Sequence, residues 1–217
     1  MTINNISTVI FDYGCVISHP QNEASLVQIM ARLSLADKEV FRQHYLHHRA
    51  ELDAGKLTAF QYWKLTTQEM GLNLPDDGIH WLANEDIKSW TEINGEMLQL
   101  INWLHQKQYT LAILSNMTSE TLTYIKSRDS WHHIFDHTFF SCDLGMVKPD
   151  PGIYRYVLDK LKVRGQNCLF IDDTYANCIA AEQFGIHAFH FTDLQGLRAY
   201  LASKGIDVTE IQEASGK

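Results

Sequence analysis

From residue 94 onward, strand-length apolar runs alternate with helix-length amphipathic stretches, and few architectures accommodate that alternation. Tyr109–Leu114, Thr138–Phe140, Cys168–Ile171 and His187–His190 read as strands. Glu96–Gln106 precedes the first of them as a helix, with Met97, Leu100, Ile101 and Leu104 on one face. Further helices are expected around 118–127, 152–161, 175–184 and 194–202, with Gly185 where a helix C-terminal glycine belongs. Near the N-terminus, Thr8-Val9-Ile10-Phe11 joins the pattern as a short buried strand. Strands and helices alternating on this scale form a parallel sheet with helices on both faces.

Between about residue 20 and residue 90 the pattern changes. Leu26, Ile29, Met30 and Leu33, then Val40, Phe41 and Tyr45, then Phe60, Trp63, Leu65 and Met70 give a helical pattern without a convincing strand. Gly55, Gly71 and Pro75 punctuate the block, and Asp76-Asp77 offers a helix start before Ile79 and Trp81. A helical block inserted after the first strand-turn would sit over the strand ends, where open α/β sheets bind ligands. The expected organisation is an α/β core domain, with a Rossmann-like parallel sheet, from residues 1–18 and 93–217. Residues 19–92 form a helical cap in this reading. Only the last few residues are expected to fray.

Composition narrows the partners. With 217 residues the chain can bury a sizeable core, and 45% hydrophobic and 20% charged residues are ordinary for a globular protein. A net charge of −8 argues against a broad surface for nucleic acid or anionic membrane, while leaving room for a local site for a small anion. Cys15, Cys142, Cys168 and Cys178 show no CxxC spacing, which argues against zinc ribbons and thioredoxin-type chemistry. No run approaches the roughly 18 apolar residues of a membrane span, and no basic region leads into a long apolar one. The expectation is a cytoplasmic, reduced protein. Monomer and homodimer both fit, since a cap of this size can shield a site within one chain.

Two of the apolar runs lead directly into carboxylates, Asp12 and the pair Asp172-Asp173, and a third leads into Ser115-Asn116. A charge placed at the end of a buried strand is costly unless it is paired or used. Together with Lys148, these residues suggest one site where a carboxylate nucleophile, a divalent metal and a lysine meet a phosphate. An ionised aspartate can attack phosphorus and form an aspartyl-phosphate. Two anions must then approach one another, which calls for a cation. Mg²⁺ takes oxygen ligands and keeps several waters, so Asp12 with one of Asp172 and Asp173 would suffice as carboxylates. Lys148 is a compact charge suited to the transferring group. Ser115 could donate to a phosphate oxygen or cap the following helix, and one of the two aspartates could cap the helix near Thr174.

Four motifs carry a resemblance over nearly the full length: Phe11-Asp12-Tyr13-Gly14-Cys15-Val16, Ile113-Leu114-Ser115-Asn116, Lys148-Pro149-Asp150-Pro151 and Phe170-Ile171-Asp172-Asp173. In this order they resemble the haloacid dehalogenase (HAD) superfamily. Cys142–Pro149 and Asn177 resemble its branch of bacterial α-D-glucose-1-phosphate phosphatases. The resemblance implies a hydrolase, namely a Mg²⁺-dependent phosphatase of a small phosphate ester such as a sugar phosphate. It implies the Gly14 carbonyl as a metal ligand and the Tyr13 and Asn116 amides as phosphate donors. Asp173 is then the expected direct ligand and Asp172 its support.

One position departs from the family. Most phosphatases of the superfamily carry a second aspartate two residues after the nucleophile as general acid and base, and here that residue is Gly14. Such a group typically contributes about 10²–10⁴ in rate. Either another residue carries the proton, or water does, or the protein binds phosphate as a sensor with little turnover. A 2-haloacid dehalogenase, which needs no metal, is the alternative enzyme. His19 is the nearest titratable group after the turn, and Arg49, Lys56 and Tyr62 are candidate cap contacts. Trp63, Trp81, Trp90 and Trp103 read as core aromatics. His44, His47 and His48 read as a polar cap face, because no carboxylate or cysteine partner is placed to complete a zinc site.

Overall fold

The computed structural model describes residues 6–128 and 130–211. The expected fraying at the C-terminus lies outside them. Five strands form one parallel sheet: β1 (Thr8–Phe11), β2 (Thr110–Ser115), β3 (His137–Phe140), β4 (Cys168–Asp172) and β5 (His187–His190). Their order is β3-β2-β1-β4-β5, so β1 is central. Phe11 pairs with Ile113 on one side and Ile171 on the other. That register brings Asp12, Ser115 and Asp172 to the same carboxyl edge. The chain winds outward in both directions from β1, which makes this edge the topological switch point of the sheet.

The helices are α1 (Glu23–Arg32), α2 (Lys38–His47), α3 (Arg49–Asp53), α4 (Ala59–Glu69), α5 (Asp76–Ser89), α6 (Gly95–Gln106), α7 (Ser119–Arg128), α8 (Ser141–Leu144), α9 (Pro151–Leu161), α10 (Tyr175–Glu182) and α11 (Leu194–Ser203). Side chains of a strand point alternately to opposite faces, so each strand feeds two cores. Val9, Phe11, Leu111, Ile113, Leu169 and Ile171 pack with Met97, Leu100, Ile101 and Leu104 of α6 and with Leu197 and Leu201 of α11. Ile10, Ala112, Leu114 and Phe170 face the other way, onto Ile153, Tyr154 and Val157 of α9 and Ala180 and Ala181 of α10. A near-continuous apolar strand is what burial on both faces requires.

Helices α1–α5 are an inserted helical cap with a core of its own. Ile29, Phe41, Tyr45, Leu52, Tyr62, Trp63, Ile79 and Leu82 form it. Trp63 and Tyr62 are fully buried there, so Tyr62, a candidate ligand contact in the sequence, is a packing residue whose hydroxyl donates to the Tyr45 carbonyl. The chain leaves and re-enters the sheet layer at one neck, where Ser18 bridges antiparallel to Ile93. His19 N–H donates to the Glu92 carbonyl (2.7 Å) and Asn94 N–H to the Ile17 carbonyl (2.9 Å).

Gly55, between α3 and α4, meets the sheet layer closely. Its φ is +68°, and a Cβ there would lie 2.7 Å from the Cys142 carbonyl oxygen. Gly71 has φ of +73° but nothing within 4 Å of a Cβ. Both alanine variants carry left-handed strain of about 1–2 kcal/mol. Only Gly55→Ala adds a clash with backbone, so its loss of stability in urea melts is expected to exceed that of Gly71→Ala. Equal losses would show that cap and sheet layer do not touch at Cys142.

Candidate active site

Phe11 is the last strand residue, and Asp12 lies where β1 gives way to a tight turn, Tyr13–Ile17, closed by Ser18 N–H donating to the Tyr13 carbonyl (2.8 Å). Cys15 takes φ of +57° in it, an uncommon conformation for a residue with a side chain. Asp12 is 8% exposed. Its Oδ1 accepts the Tyr13 N–H at 2.7 Å and lies 2.9 Å from Lys148 Nζ. The same Nζ donates to Asp172 Oδ2 at 2.6 Å. Lys148 is therefore a buried ammonium clamped between two carboxylates.

The loop that carries this lysine is locked in both directions by Asn116. The Lys148 N–H donates to Asn116 Oδ1 (2.8 Å), and Asn116 Nδ2 donates to the Lys148 carbonyl (3.0 Å). Asp172 is fully buried and its oxygens are occupied. Besides Lys148 it accepts the Thr174 N–H (2.8 Å) and the Asn177 amide on both oxygens (3.0 and 3.1 Å). It thus ties down the turn into α10 without capping the helix as expected of one of the two aspartates, because the N-cap is Thr174, with no side-chain cap bond. Asp173, in contrast, lines the cavity above the sheet. Ser115 is buried behind Asp12 and helps to hold its charge. It does not cap α7; Thr118 does, accepting the Thr121 N–H (3.1 Å), because the helix starts only at Ser119.

Burial pushes the Asp12 carboxyl up, to about 7, against the pull of Lys148 and with a further push from Asp172. Burial alone would lower Lys148, but Asp12 and Asp172 reverse the sign and its pKa is raised. Asp173 is also raised, by burial and then by Asp172. Burial and Asp173 drive the Cys15 thiol up to about 12, which makes it an inert thiol rather than a nucleophile. Ligand oxygens of Asp12, Asp172 and Asp173 lie within 4.8 Å of one another. Three carboxylates face one ammonium, an all-oxygen, electron-rich corner that fits a hard divalent cation.

A cavity of about 290 Å³ opens over this corner. Asp12, Tyr13, Gly14, Asn116 and Asp173 form its floor, and the cap contributes Tyr45, Arg49, Asp53 and Trp90. Local spacing does not predict the cap wall, since it assembles from α2, α3 and the end of α5. Arg49 Nε donates to Asp53 Oδ1 (3.0 Å) and its Nη1 to Asp86 Oδ2 (3.3 Å) and to the Tyr45 hydroxyl. Trp90, expected as a core aromatic, faces the cavity, with a ring carbon 3.8 Å from where a Cβ on Gly14 would stand. His19 lines a separate hollow with Asn94 and Glu96, and Lys56 is exposed and not among the residues that line the cavity.

A second correction concerns the histidines. Glu69 of α4 reaches His48 Nε2 (2.8 Å) and His47 Nε2 (3.9 Å), so a carboxylate does join them. The contact pairs α2 with α4, residues 21 apart in sequence, which helical spacing within α2 cannot reveal. Among the described residues no helix is long and apolar enough to cross a membrane.

Sheet order, cap and carboxylate corner define an α/β enzyme fold with its site at the switch point. The model of the haloacid dehalogenase-like hydrolase family matches residues 6–185, and the chain belongs to that family. Among curated relatives, mouse bifunctional epoxide hydrolase 2 is 29% identical over 150 residues, covering 63% of this chain and 26% of that protein. The rat and pig counterparts are matched over 26% and 33% of their length, so the chain spans a third or less of these relatives. D-ribitol-5-phosphate phosphatase of Bacteroides thetaiotaomicron is 26% identical over 194 residues, 85% of this chain and 91% of that one. A HAD family enzyme of the same organism, solved with magnesium and inorganic phosphate, superposes with a TM-score of 0.69 at 20% identity, covering 88% of this chain and 98% of that one. That likeness shows the fold.

Proposed function

We propose that this hydrolase is a Mg²⁺-dependent phosphomonoesterase acting on a small phosphorylated metabolite, a sugar or polyol phosphate. The observation that carries the reading is the buried Lys148 shared by Asp12 and Asp172, with Asp173 facing the same cavity. A lysine locked beside a strand-end aspartate suits a centre that holds a phosphoryl group against a carboxylate. The relationship to a D-ribitol-5-phosphate phosphatase along nearly its whole length supports the substrate class.

In this reading Asp12 attacks phosphorus through Oδ2, the oxygen not held by the Tyr13 amide and Lys148. Lys148 neutralises the incoming phosphoryl charge, and the Asn116 backbone amide with the Ser115 hydroxyl would hold its oxygens, while the Tyr13 amide stays on Asp12 Oδ1. Water then cleaves the aspartyl-phosphate, releasing inorganic phosphate and restoring Asp12. Asp12, Asp173 and the Gly14 carbonyl would hold the metal, with Asp172 supporting it through Lys148 and the turn. Bound there, Mg²⁺ would supply positive charge that lets a phosphate approach a carboxylate. Residues 19–92 act as the lid, hinged at the neck where Ser18 meets Ile93.

The cation has a measurable consequence in the absence of substrate. Mg²⁺ at a hundred times its Kd is expected to stabilise the protein by about 2.7 kcal/mol. For a chain of this size that is roughly 5–10 °C in Tm. EDTA should remove both this shift and the release of phosphate from esters. Turnover of a 2-haloacid that survives EDTA, with no Mg²⁺-dependent shift, would instead identify a metal-free dehalogenase.

A further inference from the structure

We propose that Asp53, reaching down from the cap, is the general acid and base that Gly14 does not supply. The assignment rests on the phosphomonoesterase reading and adds a residue to its chemistry. Asp53 ends α3, is 8% exposed, and lines the same cavity as Asp12. Its backbone is tied to the floor of the site. The Ser141 hydroxyl donates to the Asp53 carbonyl (2.5 Å) and accepts the Met117 N–H (2.9 Å), one residue beyond Asn116. A single hydroxyl thus pins this cap residue to the phosphate-side loop.

Direction matters next. In phosphoryl transfer the attacking and leaving oxygens are roughly in line. Asp12 attacks from the sheet edge, so the leaving oxygen points away from the sheet, toward the cap wall that carries Asp53. The position above Gly14 is covered by the Trp90 ring. No carboxylate therefore enters from the turn, while one is held in the roof.

The proton can reside on Asp53 because Arg49 has two carboxylates to satisfy. Asp86 collects most of the donors: the Tyr45 hydroxyl (2.8 Å), Gln21 Nε2 (3.1 Å) and Arg49 Nη1 (3.3 Å). Asp53 receives the Arg49 Nε alone among these (3.0 Å). Arg49 lies nearer Asp53 (3.0 Å) than Asp86 (3.3 Å) and is shared by both, so one guanidinium serves two carboxylates, of which Asp53 has the fewer donors. Arg49 and Lys148 oppose that protonation and Asp86 favours it, with burial the largest influence and the net direction upward.

The chemistry balances. As the Asp12 oxygen bonds to phosphorus and the ester P–O bond breaks, the Asp53 proton passes to the leaving oxygen, giving the free alcohol. Asp53, now ionised, takes a proton from the water that attacks the aspartyl-phosphate. The P–O bond to Asp12 breaks, inorganic phosphate leaves, and both aspartates return to their starting states.

The test compares p-nitrophenyl phosphate, whose leaving group needs no proton, with D-ribitol 5-phosphate, whose alkoxide does. With Mg²⁺ present, Asp53→Asn is expected to lose about 10²–10⁴-fold in kcat on the alkyl ester. On the aryl ester it should keep a fast burst of nitrophenolate followed by slow turnover, because only the second step then needs the base. The limb of the pH–kcat/KM profile that requires the protonated acid should vanish, and Asp53→Glu should restore part of it. Equal loss of the burst and of alkyl turnover in a variant that melts like wild type, or no loss on either ester, would overturn the assignment. Wild-type protein that releases phosphate from neither ester would overturn the phosphomonoesterase reading and this role with it.

Discussion

Asp12→Asn is expected to lower kcat on any phosphomonoester by on the order of 10⁴-fold or more, the scale on which removal of a nucleophile or its partner acts. The substitution keeps the size of the side chain and removes the charge that attacks. It also removes a carboxylate from a corner where three face one lysine, so the variant should fold at least as well as wild type. The measurement is steady-state phosphate release at saturating ester, with a thermal melt run alongside. Near-wild-type turnover would mean that some other group receives the phosphoryl.

Lys148→Met should remove activity too, but its larger signature is in stability. Nζ is buried and lies 2.9 Å from Asp12 and 2.6 Å from Asp172. Removing one partner of a buried ion pair leaves uncompensated charge and costs about 3–5 kcal/mol. The effect should depend on pH. Asp12 has a folded pKa of about 7, above its ordinary 3.8, so the folded state holds the proton more tightly than the unfolded chain does. Its contribution is favourable at low pH and is lost as pH rises from about 4 through about 7. Lys148 limits that loss in the wild type. In metal-free urea melts, the gap between wild type and Lys148→Met should therefore widen as pH rises above about 7, where wild-type Asp12 ionises beside the lysine while the variant's Asp12 still holds its proton. A gap independent of pH would show that the lysine is not what holds these carboxylates ionised.

Much of this is legible in the amino-acid sequence. Each expected strand lies within a residue or so of its observed bounds, and for β1, β2 and β4 the reason is that a strand buried on both faces must be apolar throughout. The floor of the site was legible for the same reason: a carboxylate such as Asp12 or Asp172 interrupting that pattern stands out. The roof was not. Asp53 and Asp86 sit in amphipathic helices where charge is ordinary, and Ser141 is one serine among many. Their significance arises only when Arg49 is brought against Asp86, 37 residues away, and Ser141 against Asp53, 88 residues away. Trp90 was misplaced because an aromatic at a helix end looks the same whether it faces a core or a cavity. Glu69 joined the histidines through the packing of two helices, which the periodicity of either one does not encode.

The relation between floor and roof also gives Gly14 its meaning. Seen along the chain, it is a missing aspartate; seen in the fold, it is the place where Trp90 closes over the turn, while Asp53 lines the same cavity from the cap. Efficiency would then depend on closure of the cap as well as on the floor.

The central claim is that Asp12 becomes phosphorylated. Acid quench of the Mg²⁺-loaded protein during turnover of p-nitrophenyl phosphate, followed by peptide mass spectrometry, tests it directly. The expected result is one phosphoryl group on the peptide carrying Asp12, accumulating further in Asp53→Asn and absent from Asp12→Asn. Phosphate release at wild-type rates with the phosphoryl group on another residue, or with none on the protein in either the wild type or Asp53→Asn, would contradict it.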